Sequence, residues 1–162
     1  MNRNTAVIEN FYSAFQRLDY RTMNSCYSDD IMFNDPVFGV LQGDVAKSMW
    51  EMLCKSAKDF TLTYSNILLL DDEYATCNWT ARYTFSKTKR PVINQIKAHM
   101  RLIDGEIVEH TDQFDLWKWS RQALGFPGLL FGWSGYIKNK VAIAARKNLE
   151  EFIAAKNALV TE

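Results

Sequence analysis

Histidine is scarce in this 162-residue chain, with two copies, and proline and cysteine appear three times each. The two histidines fall on opposite faces of adjacent expected strands, which excludes a histidine-rich metal centre. Cys26, Cys54 and Cys77 are odd in number and widely spaced, so neither a disulfide framework nor a zinc site is expected. They read as reduced, buried thiols, and the expected location is the cytoplasm. An excess of one charge is also missing: nineteen basic side chains face nineteen acidic ones. That balance argues against a nucleic-acid partner. The N-terminal MNRNTAVIENF lacks the apolar stretch of a signal peptide. The most apolar run, residues 123–137, is broken by Pro127 and by Gly125, Gly128, Gly132 and Gly135. It falls short of the ~20 residues of a membrane span, so no membrane insertion is expected. A glycine-rich phosphate loop, a serine nucleophile elbow and an H-E-x-x-H pair are all absent, and no metal or other cofactor is expected.

Aromatic residues, by contrast, reach 14%. That supply suits a roomy apolar pocket or a large interface. Val7, Ile8, Phe11, Phe15 and Leu18 recur at helical steps behind a cap at Asn4 or Thr5. A second helix is expected from Tyr20 to Tyr27, a brief strand over Ile31 to Asn34, and a third helix opening at Gly43 and Asp44. The third helix carries Val45, Met49, Met52 and Leu53 on one side. From Phe60 the period becomes two. A strand to Leu70 is followed by one alternating Ala75, Cys77, Trp79, Ala81, Tyr83 and Phe85 with polar residues. A third strand carries Ile96, Ala98, Met100 and Leu102 on one face and Lys97, His99 and Arg101 on the other. Asp104-Gly105 then signals a tight hairpin. Helices followed by an antiparallel sheet make an α+β domain.

The fourth strand holds the chemistry. Val108, His110, Asp112, Phe114 and Leu116 share its apolar face, and an ionisable pair there needs an explanation. Asp112 reads as a general acid or base with His110 orienting it or sharing its proton. The plain alternative is a structural pair bonded to each other or to helix ends. Asp35, in FNDPVFG, is a second candidate, presented at a cavity mouth by a proline-fixed turn or else an ordinary turn residue. Cys54 reads as a buried thiol rather than a nucleophile.

The order of elements, with YSDDIMFNDPVFG after two helices and DGEIVEHTDQFD closing the sheet, resembles the nuclear transport factor 2-like superfamily, and within it the SnoaL-like polyketide cyclases and ketosteroid isomerases. The resemblance covers about Thr5 to Gly125. It implies a cone-shaped, strongly curved antiparallel sheet wrapped on the N-terminal helices, open to an apolar pocket and commonly homodimeric. Asp35 matches the isomerase general base in its D-P-V-G context. The two oxyanion-hole positions carry Phe11 and Ala98, which donate no hydrogen bond, and Tyr12 turns roughly 100° away around the helix. Asp112 is similar to the acid/base aspartate of the cyclases. No arginine is expected on the pocket face to complete an epoxide-hydrolase Asp-Arg-Asp group.

Residues 1–125 are therefore read as the SnoaL-like domain. Residues 126–162 are a C-terminal apolar segment and helix packed on that domain or on a dimer partner, with Phe126, Leu129, Leu130, Phe131 and Trp133 as a lid or an interface. The helix from Ile137 to Leu159 has a mildly basic, solvated outer face. The expected function is cofactor-independent proton transfer, of isomerase, cyclase or lyase type, on a small apolar carbonyl compound. Asp112, His110 and Asp35 are the catalytic candidates; Phe11, Phe15, Trp79, Met100 and Phe114 are the expected walls. The alternative is a non-catalytic ligand-binding or protein-interaction module.

Overall fold

The computed structural model describes residues 2–160. The elements run α1 (Arg3–Gln16), α2 (Tyr20–Ser25), β1 (Tyr27–Asp35), β2 (Gly39–Gln42), α3 (Asp44–Ser56), β3 (Thr61–Leu69), β4 (Tyr74–Phe85), β5 (Arg90–Ile103), β6 (Glu106–Gln113), α4 (Leu116–Leu124), α5 (Phe126–Phe131) and α6 (Gly135–Val160). Asn2 caps α1, its side chain accepting from the Asn4 N–H at 2.8 Å, so the helix starts earlier than its apolar periodicity implies. Asp19 caps α2 through the Thr22 N–H, and Cys26 ends it after six residues.

The six strands form one open sheet in the order β2-β1-β6-β5-β4-β3. All neighbours are antiparallel except β1 and β6, which run parallel, so the sheet is mixed rather than wholly antiparallel. The reason is topological. β2, a strand hidden within what reads as a turn after Pro36, takes the antiparallel place beside β1, and β1's other edge receives the end of the chain's last hairpin. Asp104 and Gly105 take φ of 51° and 84°, the positive pair that the tight β5–β6 hairpin requires.

Register shifts interrupt three of the pairings, between Ser65 and Leu68, Arg101 and Leu102, and Tyr27 and Met32. Each bends its strand and increases the curl of the sheet over the helices. The shift in the β5–β6 pair also changes which side chains face inward. Arg101 pairs with Glu109 but Leu102 with Ile107, leaving Val108 as the extra residue. Ile107 is consequently buried and Val108 only partly so, whereas His110 and Asp112 keep the inward direction that alternation gives them.

The core lies between the concave face of the sheet and α1, α3 and α6. Ile8, Phe11 and Phe15 from α1 and Met49 and Trp50 from α3 meet Phe33, Trp79, Ile96, Ala98 and Met100 from the strands. On α3, Val45 faces solvent instead, and the buried stripe runs through Ala46, Met49, Trp50 and Cys54. Residues 126–131, at the start of the C-terminal apolar segment, form the short helix α5. The long α6 lies against α3: Leu149 enters the main core, and Lys156 bonds Glu51 at 2.9 Å and Ser48 at 3.1 Å. Burial would push the Glu51 carboxyl up, but the ammonium groups of Lys55 and Lys156 hold it below the ordinary range.

Candidate functional site

A chain of hydrogen bonds crosses the core from α3 to β4. The Trp50 indole N–H donates to the Tyr27 hydroxyl at 2.9 Å, and that hydroxyl meets His110 Nδ1 at 2.7 Å. His110 Nε2 lies 3.1 Å from Asp112 Oδ1, and the Trp79 indole N–H donates to the same oxygen at 3.1 Å. Indole is a donor only, which gives the chain a direction. With Trp50 donating into the Tyr27 oxygen, the phenol's own hydrogen points at His110 Nδ1. In this arrangement Nδ1 accepts, and a ring proton on Nε2 is donated to Asp112. Asp112 Oδ1 thus receives two donors, whereas its Oδ2 has no hydrogen bond among the described residues.

His110 is 0% exposed and ringed by Phe11, Phe33, Tyr27 and Trp50, with centroids 5.4–6.1 Å away. Burial, reinforced by the Asp112 charge, pushes the Tyr27 phenol well above its ordinary pKa, so it stays a donor. Asp112 is 4% exposed and, with Trp50 and Trp79 at the two ends of the chain, borders open space, while Tyr27 and His110 do not.

That space is a cavity of about 790 Å³, large enough for a drug-sized molecule. Its walls are mainly apolar and aromatic: Phe15, Phe33, Trp50, Phe60, Trp79 and Phe114 from the helices and sheet, closed on one side by Ile137, Val141, Ala144 and Ala145 of α6. Lys58, Lys87 and Lys140 also line it. Among the described residues no arginine lines the cavity, so an Asp-Arg-Asp group is not assembled there.

Asp35 is on the same wall. In the parallel β1–β6 pair Phe33 stands beside His110 and Asn34 beside Thr111. One step further puts Asp35 next to Asp112 on the inner face, with strands about 4.8 Å apart. It lines the cavity together with Asp112 and feels that carboxylate's charge. Its Oδ1 accepts the backbone N–H groups of Val37 at 2.9 Å and Phe38 at 2.6 Å, which fixes the turn into β2. Burial pushes its pKa up to about 6, the Asp112 charge acts in the same direction, and the backbone donors oppose both.

That shift carries a testable consequence. An acid that holds its proton more tightly folded than unfolded contributes stability that is full below its unfolded pKa near 3.8 and lost as pH rises through about 6. The Asp35→Asn variant keeps the oxygen acceptor for Val37 and Phe38 but never ionises. It should match the wild type near pH 4 and exceed it above pH 7, by on the order of 2–3 kcal/mol. Urea unfolding at the two pH values measures this; equal stabilities at both would mean that Asp35 ionises freely.

Of the expected wall residues, Phe15, Trp79 and Phe114 line the cavity. Phe11 and Met100 do not: they are 0% and 2% exposed and lie in the closed core. The inward turn of α1 that buries Phe11 places its ring against Tyr27 and His110, and Met100 stands opposite His110 in the β5–β6 register. His110 likewise sits behind Asp112 and off the cavity surface. Tyr12 is fully buried, with no partner for its hydroxyl among the described residues, and is not on the wall either. The thiols of Cys54 and Cys77 are pushed up by burial to about 12 and about 11, and neither lines the cavity.

Sequence reading missed Tyr27 and Trp50, the inner members of the chain, and Tyr83, which lines the cavity. The Tyr83 hydroxyl accepts from the Trp119 indole at 2.8 Å, leaving its own hydrogen to donate. Tyr83 is six residues from Cys77, which shares the row of Asp112 and Ala98, so it serves the far end of the cavity, roughly 20 Å along the strand.

A six-strand mixed sheet packed on N-terminal helices, with a long C-terminal helix beside it, defines the class, a small α+β domain. Within that class, the model of the SnoaL-like domain matches residues 8–110, and the chain belongs to the SnoaL-like family. No curated protein matches it. Among solved structures it is similar to a Catenulispora acidiphila protein of ketosteroid isomerase-like fold in complex with trimethylamine (13% identity, 75% of this chain and 94% of that one, TM-score 0.66). It is also similar to a polyketide-cyclase candidate from Xanthomonas campestris (16%, 75% and 96%, 0.63). A third is an LEH-like epoxide hydrolase from M. tuberculosis (20%, 80% and 91%, 0.62). At these identities the likeness is one of fold.

Proposed function

We propose that this protein binds a small apolar carbonyl compound in the cavity and moves a proton on it without a cofactor. The observation that carries this reading is the chain Trp50–Tyr27–His110–Asp112, which leaves one oxygen of a cavity-lining carboxylate without a hydrogen bond among the described residues. Asp112 Oδ2 takes a proton from the carbon next to the carbonyl; the C–H pair moves into the enolate, and the Asp112 carboxyl, having exchanged its proton with water, returns one at carbon. His110 is the positioning partner that holds Oδ1. Asp35, when protonated, donates to the carbonyl oxygen that gathers charge, the task that Phe11 and Ala98 cannot perform. The expected pH limb follows from Asp35: turnover falls as pH rises through about 6.

The test is hydrogen–deuterium exchange at the α-carbon of a panel of apolar ketones and esters, read by NMR, with binding read by quenching of tryptophan fluorescence. Exchange accelerated by the wild type supports the reading. Binding without exchange overturns the proton transfer and leaves the non-catalytic ligand-binding module. We further place a homodimer contact on the outer face of the sheet, where Leu68, Tyr74, Ile93 and Ile103 are exposed. The three free, buried cysteines support a cytoplasmic setting.

A further inference from the structure

The end of the molecule built by α4, α5 and the start of α6 has a composition unlike the rest. Residues 116–149 carry six basic side chains and no acidic one, so the remainder holds thirteen basic and all nineteen acidic residues. Arg146 lies against Gly39 of β2 and Lys147 pairs with Glu151 further along α6, whereas Lys118, Arg121, Lys138 and Lys140 belong to this end. That same end exposes the largest apolar side chains. Phe126 is 71% exposed, Trp133 65% and Tyr136 66%, with Leu129, Leu130 and Phe131 between them at 44–54%.

The exposure is built in. A side chain at Gly128 or Gly132 would strike backbone at Ser120 or Gly128, so the α4–α5 approach depends on glycine and fixes α5 with its apolar groups outward. Cations stand beside the aromatics at the margin: Arg121 lies 4.4 Å from the Trp117 ring centre and Lys140 4.8 Å from that of Tyr136. The edge also adjoins the cavity, since Trp119 and Leu124 before α5 and Ile137, Lys140 and Val141 after it are wall residues.

We propose that the α5 edge is a docking surface for an anionic lipid bilayer, which brings the cavity to open beside the lipid. Exposed Phe and Leu with marginal Trp and Tyr, flanked by basic residues, is the chemistry that partitions into the headgroup region and is drawn to acidic lipid. The contact is peripheral: among the described residues no helix is long and apolar enough to cross a membrane. A symmetric contact with a second copy would set Lys118, Arg121, Lys138 and Lys140 against the same four side chains, which opposes self-association through this face.

The experiment is cosedimentation of the full chain with vesicles of phosphatidylcholine alone and of phosphatidylcholine mixed with phosphatidylglycerol, across a salt series. No substrate is needed, so the outcome is independent of the chemistry proposed for the cavity. The wild type should bind the anionic vesicles, lose affinity as salt rises, and shift its tryptophan emission to the blue on binding. Phe126→Ser with Trp133→Ser, both at exposed sites, should weaken binding roughly tenfold or more. Lys118→Glu with Lys138→Glu should weaken it roughly 25-fold or more. Circular dichroism checks that both variants keep the fold. Absence of binding to the anionic vesicles overturns the proposal, as does binding that neither variant changes. A solution dimer that Phe126→Ser with Trp133→Ser dissociates would overturn it too, making the edge a protein interface.

Discussion

The Asp112→Asn variant should lose α-proton exchange by roughly 10²–10⁴-fold while keeping its circular dichroism spectrum and thermal transition close to those of the wild type. The size follows from the role. The amide has no basic oxygen to take the proton, yet it is nearly the same shape as the carboxylate. Its oxygen can still accept from the Trp79 indole and His110 Nε2, so the chain behind it persists. The prediction separates chemistry from architecture at a single site: exchange at the wild-type rate in a folded Asp112→Asn protein would remove Asp112 from the reaction. Binding of the apolar ligand, held by Phe15, Trp79 and Phe114, should change little.

The Tyr27→Phe variant should show the complementary pattern, with stability lost first. Its hydroxyl is the joint between α3 and β6: it accepts from Trp50 and donates to His110 in fully buried surroundings. Removing it strands two polar groups at once, the Trp50 indole N–H and His110 Nδ1. Each buried group left without a partner costs roughly 1–3 kcal/mol, so a loss of about 2–5 kcal/mol is expected. For a chain of this length that corresponds to a fall in Tm of roughly 5–15 °C, readable by thermal denaturation. The retained ring keeps the packing against Phe11, so the loss measures the hydroxyl and not a cavity. An unchanged Tm would show that the chain carries no weight in the fold.

The buried His110–Asp112 pair was legible in the sequence because alternation is local. His110 and Asp112 are two residues apart on a strand, and an apolar face with two ionisable groups stands out without knowledge of what surrounds it. Tyr27 and Trp50 did not stand out, because their roles exist only once α3 and β1 meet β6. No spacing in the chain signals an 83-residue separation between Tyr27 and His110. The nearness of Asp35 and Asp112 was hidden for the same reason: it depends on the parallel β1–β6 pairing, and no hairpin connects those strands. Val108 was misdirected by a bulge, whose single extra residue reverses every inward and outward assignment before it. The α5 helix was hidden by its glycines and proline until the close contact of Gly128 with Ser120 shows what they permit.

A chain of donors from Trp50 fixes His110 and leaves one oxygen of Asp112, a cavity residue, free of hydrogen bonds among the described residues. ¹⁵N NMR of the His110 imidazole tests it most directly, with Tyr27→Phe as the control. The account predicts a proton on Nε2 and a bare, accepting Nδ1 in the wild type, with that preference weakened in Tyr27→Phe. A wild-type ring whose proton sits on Nδ1, or whose tautomer is the same with and without the Tyr27 hydroxyl, would contradict it.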